Sequence, residues 1–369
     1  MAALTARAGR AWRPGARRLG AARASTSAPG DAAAAAAAPE AAPSIFSTSR
    51  RVALLERPPA KGAPASTPRP PLPDDRLWQS GAFAAQVYPD LPAAATLQGW
   101  ARTLLSGGWS DPPLDAGTGA GASAAPAGPR RPWVVRTVAA QTRSLEATVD
   151  RLRAAAAGLP GGASPPADAL LLVSGGDPAR RLGLPAWAGG ARTDSLALLR
   201  AAKALQAAGD LPAGMGLWCV ANPLAERGAG RAAEKVGAGA SALLTQPPLG
   251  LWGPWEAWWA DADRLGVTRQ AAVVAGLALP TTAAGFAFWL GLAGAGRVSG
   301  AGAGALALGR AAAAGRGSEA AYQTAIAELN RLKGMPGVAG VHVMPVSGGG
   351  RGVARRLVEE GVLGQWCDG

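Results

Sequence analysis

A series of short apolar runs, each closed by a polar residue, constrains this chain most: Val52–Glu56 (VALLE), Ala169–Asp177 (ALLLVSGGD) and Ser241–Gln246 (SALLTQ). A strand buried on both faces reads as a continuous hydrophobic run, because a parallel sheet is covered by helices on both sides. Residues just past the carboxyl ends of such strands face the ligand site in open and closed α/β folds alike. Glu56, Asp177 and Gln246 therefore stand where chemistry is expected.

Between these runs the pattern alternates strand and helix. Strands are expected at Val52–Leu55, Trp133–Val138, Ala169–Val173, Gly216–Ala221, Ser241–Thr245, Ala271–Leu279 and Val338–Met344. Helices are expected at Ser144–Ala157, from the Thr193-Asp194 cap to Ala208, up to Gly237, and at Glu319–Lys333. That makes seven β/α units. An eighth strand, expected at Phe83–Tyr88, completes a (β/α)8 TIM barrel, an α/β fold. The rival open sheet lacks support, since no Gly-x-Gly-x-x-Gly follows the first strand and no phosphate-binding Gly-x4-Gly-Lys occurs. The expected organisation is one barrel domain over 46–369 behind a disordered extension, 1–45. Low-complexity insertions in loops are expected near 60–80, 112–132 and 291–317.

Composition narrows the function. The formal net charge is +13, but the basic side chains are almost all arginine, with lysine only at 61, 203, 235 and 333. Excess Ala, Gly, Arg and Pro with scarce Ile, Asn, Phe and Tyr is the bias of a GC-rich coding sequence. The arginines are scattered rather than gathered in an aromatic-interleaved stretch, so nucleic acid is not an expected partner. Cys219, Cys367 and the single histidine, His342, have no metal-ligand spacing, and no metal is expected. No Gly-x-Ser-x-Gly elbow points to a hydrolase. The first 30 residues hold six arginines and no acid before Asp31. Basic, acid-poor and without an apolar core, they read as a transit peptide, with the mitochondrion as expected destination and the plastid as the alternative. No charged residue occurs from Gln270 to Gly296, but Pro280 and Thr281-Thr282 split that stretch, and no integral membrane span is expected.

The ends of the strands resemble one known family. Leu55-Glu56-Arg57-Pro58-Pro59 is similar to the close of the first strand in the flavin-dependent methylenetetrahydrofolate reductases, with one residue fewer before the proline pair. Ser174-Gly175-Gly176-Asp177-Pro178 is similar to that family's Arg-Gly-Asp-Pro-like turn after the fourth strand, with Gly175 in place of Arg. Lys235-Val236-Gly237-Ala238-Gly239-Ala240 leading to Leu244-Thr245-Gln246, and Gly340-Val341-His342-Val343-Met344, resemble its sixth and eighth strands. The chain thus resembles a divergent member of that family, in matching order from Val52 to Pro345. It also departs from it. Val135 stands where the family has a histidine before Thr137, and Ala191-Arg192-Thr193-Asp194 replaces Tyr-Ala-Ser-Asp. Trp218 and Asn222 replace a tyrosine and a histidine that line the flavin, and the paired basic residues reduce to Lys235 preceded by Glu234.

The resemblance implies a (β/α)8 barrel that binds FAD, draws on NAD(P)H, and reduces 5,10-methylenetetrahydrofolate to 5-methyltetrahydrofolate in one-carbon and methionine metabolism. It implies Glu56 as general acid, Asp177 as the charge that stabilises the cationic intermediate, and Gln246 as the ligand of the folate ring. Thr137, Gly176, Asp177, Trp218, Asn222 and Lys235 take the flavin positions. No regulatory extension of the kind some relatives carry is expected in the stretch that remains after His342. From the residues alone, a carboxyl flanked by Leu54 and Leu55 is expected to have a raised pKa, whereas His342 on an apolar strand reads first as a core histidine. Trp252, Trp255, Trp258 and Trp259 lie at helical spacing and read as core or lid packing. Because several flavin contacts are replaced, a flavin-free barrel acting as a binding or assembly subunit in an organelle stands as the alternative. A homo-oligomer or a partner subunit is compatible with either.

Overall fold

The computed structural model describes residues 44–46, 50–56, 77, 80–88, 132–140, 145–158, 166–174, 194–295 and 301–368. The expected transit segment up to residue 43 lies outside them, as do residues 112–131 and, apart from 77 and 80, the insertion at 60–80. Gly176 and Asp177 also lie outside.

Eight strands are present: β1 Val52–Glu56, β2 Ala85–Tyr88, β3 Trp133–Ala139, β4 Ala169–Val173, β5 Gly216–Ala221, β6 Ala242–Thr245, β7 Ala272–Ala278 and β8 Val338–Met344. They pair in sequence order, all parallel, and β8 returns to β1, so the sheet is a closed barrel. The eighth unit left to be found from the sequence is β2, within the expected Phe83–Tyr88. Closure fixes the neighbours that matter below. His342 is in register with Leu54 of β1 on one side and with Gly276 of β7 on the other.

Helices pack outside the barrel. Those described are α1 Leu145–Ala157, α2 Ser195–Ala207, α3 Gly230–Gly237, α4 Trp252–Arg264, the short α5 Val267–Gln270, α6 Ala283–Leu292, α7 Ala301–Ala313, α8 Gly317–Lys333, α9 Gly348–Glu359 and α10 Val362–Asp368. Asp194 caps α2 by accepting from the amide of Ala197 at 2.8 Å. Thr282 does the same for α6, accepting from Gly285 at 3.0 Å. The stretch 291–317 departs from its reading as a loop, since α6 runs to Leu292 and α7 occupies Ala301–Ala313. Alanine and leucine are the best helix formers, and their propensity outweighs the scattered glycines. Two of those glycines let α7 lie close against α6, in antiparallel order. A Cβ at Gly304 would meet the Phe286 ring at 2.8 Å, and one at Gly309 would meet Ala283 at 3.3 Å. Among the described residues no helix is long and apolar enough to cross a membrane.

The core has two layers. The outer one lies between sheet and helices and takes in Trp255, Trp258 and Trp259 of α4, all buried. Each indole N–H finds an acceptor: Gln246 O, Glu226 Oε2 and Pro336 O respectively. The tryptophan cluster is therefore packing between helix and barrel. The inner layer fills the barrel with Val52, Leu54, Val87, Val135, Leu171, Leu244, Val274 and Trp218. Trp218 stacks on Trp133 with ring centroids 6.5 Å apart and meets Phe46, ahead of β1, at 5.4 Å. Its Nε1 lies over Gly216, where a Cβ would come within 2.7 Å. The indole thus points back toward the amino-terminal end of β5, and three aromatic rings form the floor of the barrel.

Candidate active site

The carboxyl-terminal mouth has the opposite character. Strand alternation carries the inward face of β1 from Leu54 to Glu56, and that of β8 through His342. Glu56 Oε2 comes within 3.5 Å of His342 Nε2. The Glu56 side chain is 21 % exposed and that of His342 5 %, so the carboxylate is the half of the pair that solvent or a ligand can reach. Burial acts on both in the direction that disfavours charge. It pushes the Glu56 carboxyl up to about 7 and the His342 imidazole down to about 3. At neutral pH the imidazole is uncharged and the carboxyl is close to half protonated, which is the condition for a proton donor that can also recover its proton.

Two amides stand on the neighbouring strands. Ala221 and Thr245 are in register, and the residues that follow them are Asn222 and Gln246. The main-chain N–H of Gln246 donates to Ala221 O at 2.9 Å, which continues the ladder to the rim. Asn222 is held by its main-chain N–H to Glu226 Oε1 (3.2 Å) and by Nδ2 to Ala293 O (3.0 Å). Asn222 Oδ1, Gln246 Oε1 and His342 Nε2 are buried atoms that find no hydrogen-bond partner. An unsatisfied buried polar atom costs free energy. Three at one end of a barrel mark a place where a polar ligand would complete the bonding.

The structure brings Glu56, Gln246 and Asn222 to this end together with His342. Thr137 of β3 also faces inward, by alternation from Val135. It does not bring Trp218 there, since the indole belongs to the floor. Nor does it leave Lys235 free. That side chain is 5 % exposed, and its Nζ donates to Val220 O at 2.6 Å, tying α3 to β5. FAD carries a diphosphate that needs cations or converging N–H groups. Among the described residues, those that the resemblance assigns to the flavin do not make that grip, and Gly176 and Asp177 are outside them. The two sets of residues therefore differ: Asn222, Gln246 and His342 present unsatisfied polar atoms at the mouth, whereas Lys235 and Trp218 are committed elsewhere in the fold.

Sequence reasoning singled out Glu56 but not its partner. The pairing follows only from closure of β8 onto β1, which sets His342 beside Leu54. A second buried acid was also missed. Glu328 on α8 is 4 % exposed, accepts from the Gly250 amide at 3.0 Å, and is pushed up to about 7 by burial against that stabilising bond. Its signal was present, since it sits on the buried stripe Ala321, Ala325, Leu329 and Leu332 at helical spacing.

No family model and no curated protein matches this chain. Solved structures do match in fold. One is a Clostridium thermocellum protein described as uncharacterised and binding two copies of 5-methyl-5,6,7,8-tetrahydrofolic acid, at 10 % identity, TM-score 0.44, covering 84 % of this chain and 96 % of that one. That likeness is too distant to say anything of the ligand here.

Proposed function

We propose that this barrel binds a reduced folate at its carboxyl-terminal mouth and reduces 5,10-methylenetetrahydrofolate to 5-methyltetrahydrofolate, with Glu56 as the proton donor and with a hydride that would come from NAD(P)H by way of a bound flavin. The observation that carries the reading is the buried Glu56 carboxyl, raised to about 7 and set 3.5 Å from a neutral imidazole at the mouth. Opening the five-membered ring of the substrate needs a proton on the ring nitrogen that leaves the methylene carbon. Glu56 is half loaded for that transfer at neutral pH. Gln246 offers both donor and acceptor to a pterin edge, and its unsatisfied Oε1 faces no protein competitor. By the resemblance, Asp177 would supply the negative charge that the resulting cation requires.

The alternative is a flavin-free barrel that binds the folate without reducing it, and one observation favours it. The ammonium of Lys235 and the indole of Trp218, two of the flavin positions, are committed elsewhere in the fold. The absorbance spectrum of the purified protein separates the two readings. Flavin bands that bleach with NAD(P)H and return with 5,10-methylenetetrahydrofolate establish the reductase. A colourless protein that takes up no FAD but binds 5-methyltetrahydrofolate in equilibrium dialysis leaves the binding subunit. Failure to bind either compound removes the folate reading altogether.

A further inference from the structure

Of the three unsatisfied atoms at the mouth, one is fixed in its chemical sense. The Gln246 side chain makes no hydrogen bond among the described residues, so its amide can turn to present either oxygen or nitrogen. A neutral imidazole such as His342 likewise offers a donor or an acceptor according to its tautomer. Asn222 has no such freedom. Its Nδ2 donates to Ala293 O at 3.0 Å, and Ala293 closes α6: Gly294 follows in a left-handed conformation (φ 65°), and the Ala295 N–H returns to Leu290 O at 2.8 Å. The last carbonyls of a helix find no donor within it, so the buried Ala293 O must be met from outside. Turned over, the amide would set Oδ1 against that carbonyl, oxygen to oxygen. The network therefore holds Oδ1 as an acceptor. The main chain is held as well, since Glu226 accepts from the Asn222 N–H with one oxygen and from the Trp258 indole with the other.

The same bond shows where α6 lies. In a barrel of this kind the helix after a strand runs back along the outside. Helix α6 starts after β7, with Thr282 as its cap, and ends instead against the residues that follow β5. Beyond the Asn222 bond, a Cβ at Gly294 would meet that of Ala225 at 3.3 Å. The helix thus reaches over the carboxyl-terminal face from the exit of β7, past that of β6, to that of β5.

A buried acceptor that cannot turn costs free energy until a donor meets it, so a ligand is selected by what it presents at this point. We propose that Asn222 is a specificity-determining residue of the mouth: its Oδ1 accepts a hydrogen bond from the amino–lactam edge of a reduced pterin, and α6 enforces that selection by holding the other half of the amide. The proposal rests on the folate reading above. A pterin suits the atom because it carries a ring N–H beside an exocyclic amino group, two donors side by side. The matching edge of a flavin sets one N–H between two carbonyls, either of which would meet Oδ1 as oxygen against oxygen. A flavin is the less suitable occupant also because Lys235 and Trp218 are committed elsewhere.

Equilibrium dialysis of 5-methyltetrahydrofolate against the full chain and two variants tests it. Asn222→Asp keeps an oxygen in place and loses the donor to Ala293, whereas Asn222→Leu has nearly the same shape and loses both. The broken bond to α6 is common to the two, so the difference between them reads the acceptor alone. The leucine variant is expected to bind about tenfold or more weaker than the aspartate variant, from the ligand N–H left without a partner. Thermal midpoints identify variants that fold. Should the aspartate variant not fold, Asn222→Ser takes its place, since a hydroxyl oxygen accepts, and the same order is expected. Equal affinities in the two variants overturn the proposal, because a residue that merely held α6 would weaken both alike. Tighter binding by the leucine variant overturns it too. The expected order found with riboflavin and not with the folate moves the N–H to a flavin ring and overturns the pterin assignment. A wild type that binds no folate fails the folate reading and this proposal with it, whereas a wild type that binds folate while the variants bind alike fails this proposal only.

Discussion

The two ends of this barrel are built from the same eight strands and differ in one respect. At the floor Trp133, Trp218 and Phe46 close the interior with stacked and tilted rings. At the mouth, polar atoms are buried and left unsatisfied on Asn222, which follows Trp218 by four residues, and on Gln246 and His342, beside a carboxyl that burial pushes up to about 7. A fold gains nothing from burying atoms without partners. The mouth therefore carries a cost in stability that the floor does not, and such a cost is what marks a site for a ligand.

The contrast is broken most sharply by Glu56→Gln. The substitution keeps the shape and removes the proton. Turnover of 5,10-methylenetetrahydrofolate is expected to fall about 10²–10⁴-fold, the usual contribution of a positioned general acid, with the thermal midpoint held or raised. A variant with full turnover would strip the mouth of its acid. Trp218→Ala makes the reciprocal claim about the floor. It is expected to cost about 3–5 kcal/mol of stability, as large aromatic truncations in cores do, while folate affinity, measured at a temperature where the variant is folded, stays unchanged. Lost affinity with retained stability would mean that the floor belongs to the site.

Burial alone does not make an acid functional, and Glu328 sharpens that distinction. It shares the raised pKa of Glu56 and is the more deeply buried of the two, but it has a partner in the Gly250 amide and lies outside the barrel. The bond it makes holds the turn after β6, where Leu249 adopts a left-handed conformation (φ 52°) that costs a non-glycine residue energy. A carboxyl with a folded-state pKa near 7 and an ordinary value of 4.5 holds its proton in the folded state while the unfolded chain has lost it. Its contribution is fully present below about 4.5 and is lost as pH rises through 7. Glu328→Gln keeps an acceptor for Gly250 and removes that loss. The variant is expected to equal the wild type near pH 5 and to exceed it by about 1–3 kcal/mol at pH 8, with turnover unaffected. Calorimetric unfolding at the two pH values measures this, and a variant less stable at both would show that the charge itself is what the turn requires.

How much of this was legible in the sequence depends on which force set each element. The bounds of β4, β5 and β8 were readable because a strand buried on both faces must be apolar throughout, and turn residues close it. The strand β2 was faint because it is only four residues long and its polar Gln86 and Tyr88 alternate with the buried Ala85 and Val87. Helix α7 was hidden because alanine, glycine and leucine give no polar–apolar period to detect, although they form a helix readily. The triple glycine at 348–350 concealed the start of α9, which Ser347 caps by accepting from Gly350 at 3.0 Å. Glu56 could be found because it ends a strand. Its pairing with His342 spans nearly the whole chain, from the first strand to the last, and only the closed sheet brings the two together. Lys235 misled for a related reason, since the residue type suits a phosphate but the fold turns it to the carbonyl of Val220.

The smallest effect expected tests what the imidazole does. Burial is the cause of the raised Glu56 pKa, and His342 forms part of the wall that keeps water away. Turnover that needs protonated Glu56 is expected to be level at low pH and to decline as pH rises through about 7. In His342→Ala the vacated space admits water to the carboxylate, hydration favours its charged form, and the declining limb moves to lower pH by about one unit or less. A limb that stays in place would assign the desolvation to the other walls of the mouth. A limb that moves upward would mean that the imidazole had been stabilising the carboxylate as a charged partner, which requires a protonated His342. The direction of that single shift therefore says whether the pair at the mouth is neutral, as the burial of both groups implies, or an ion pair held against it.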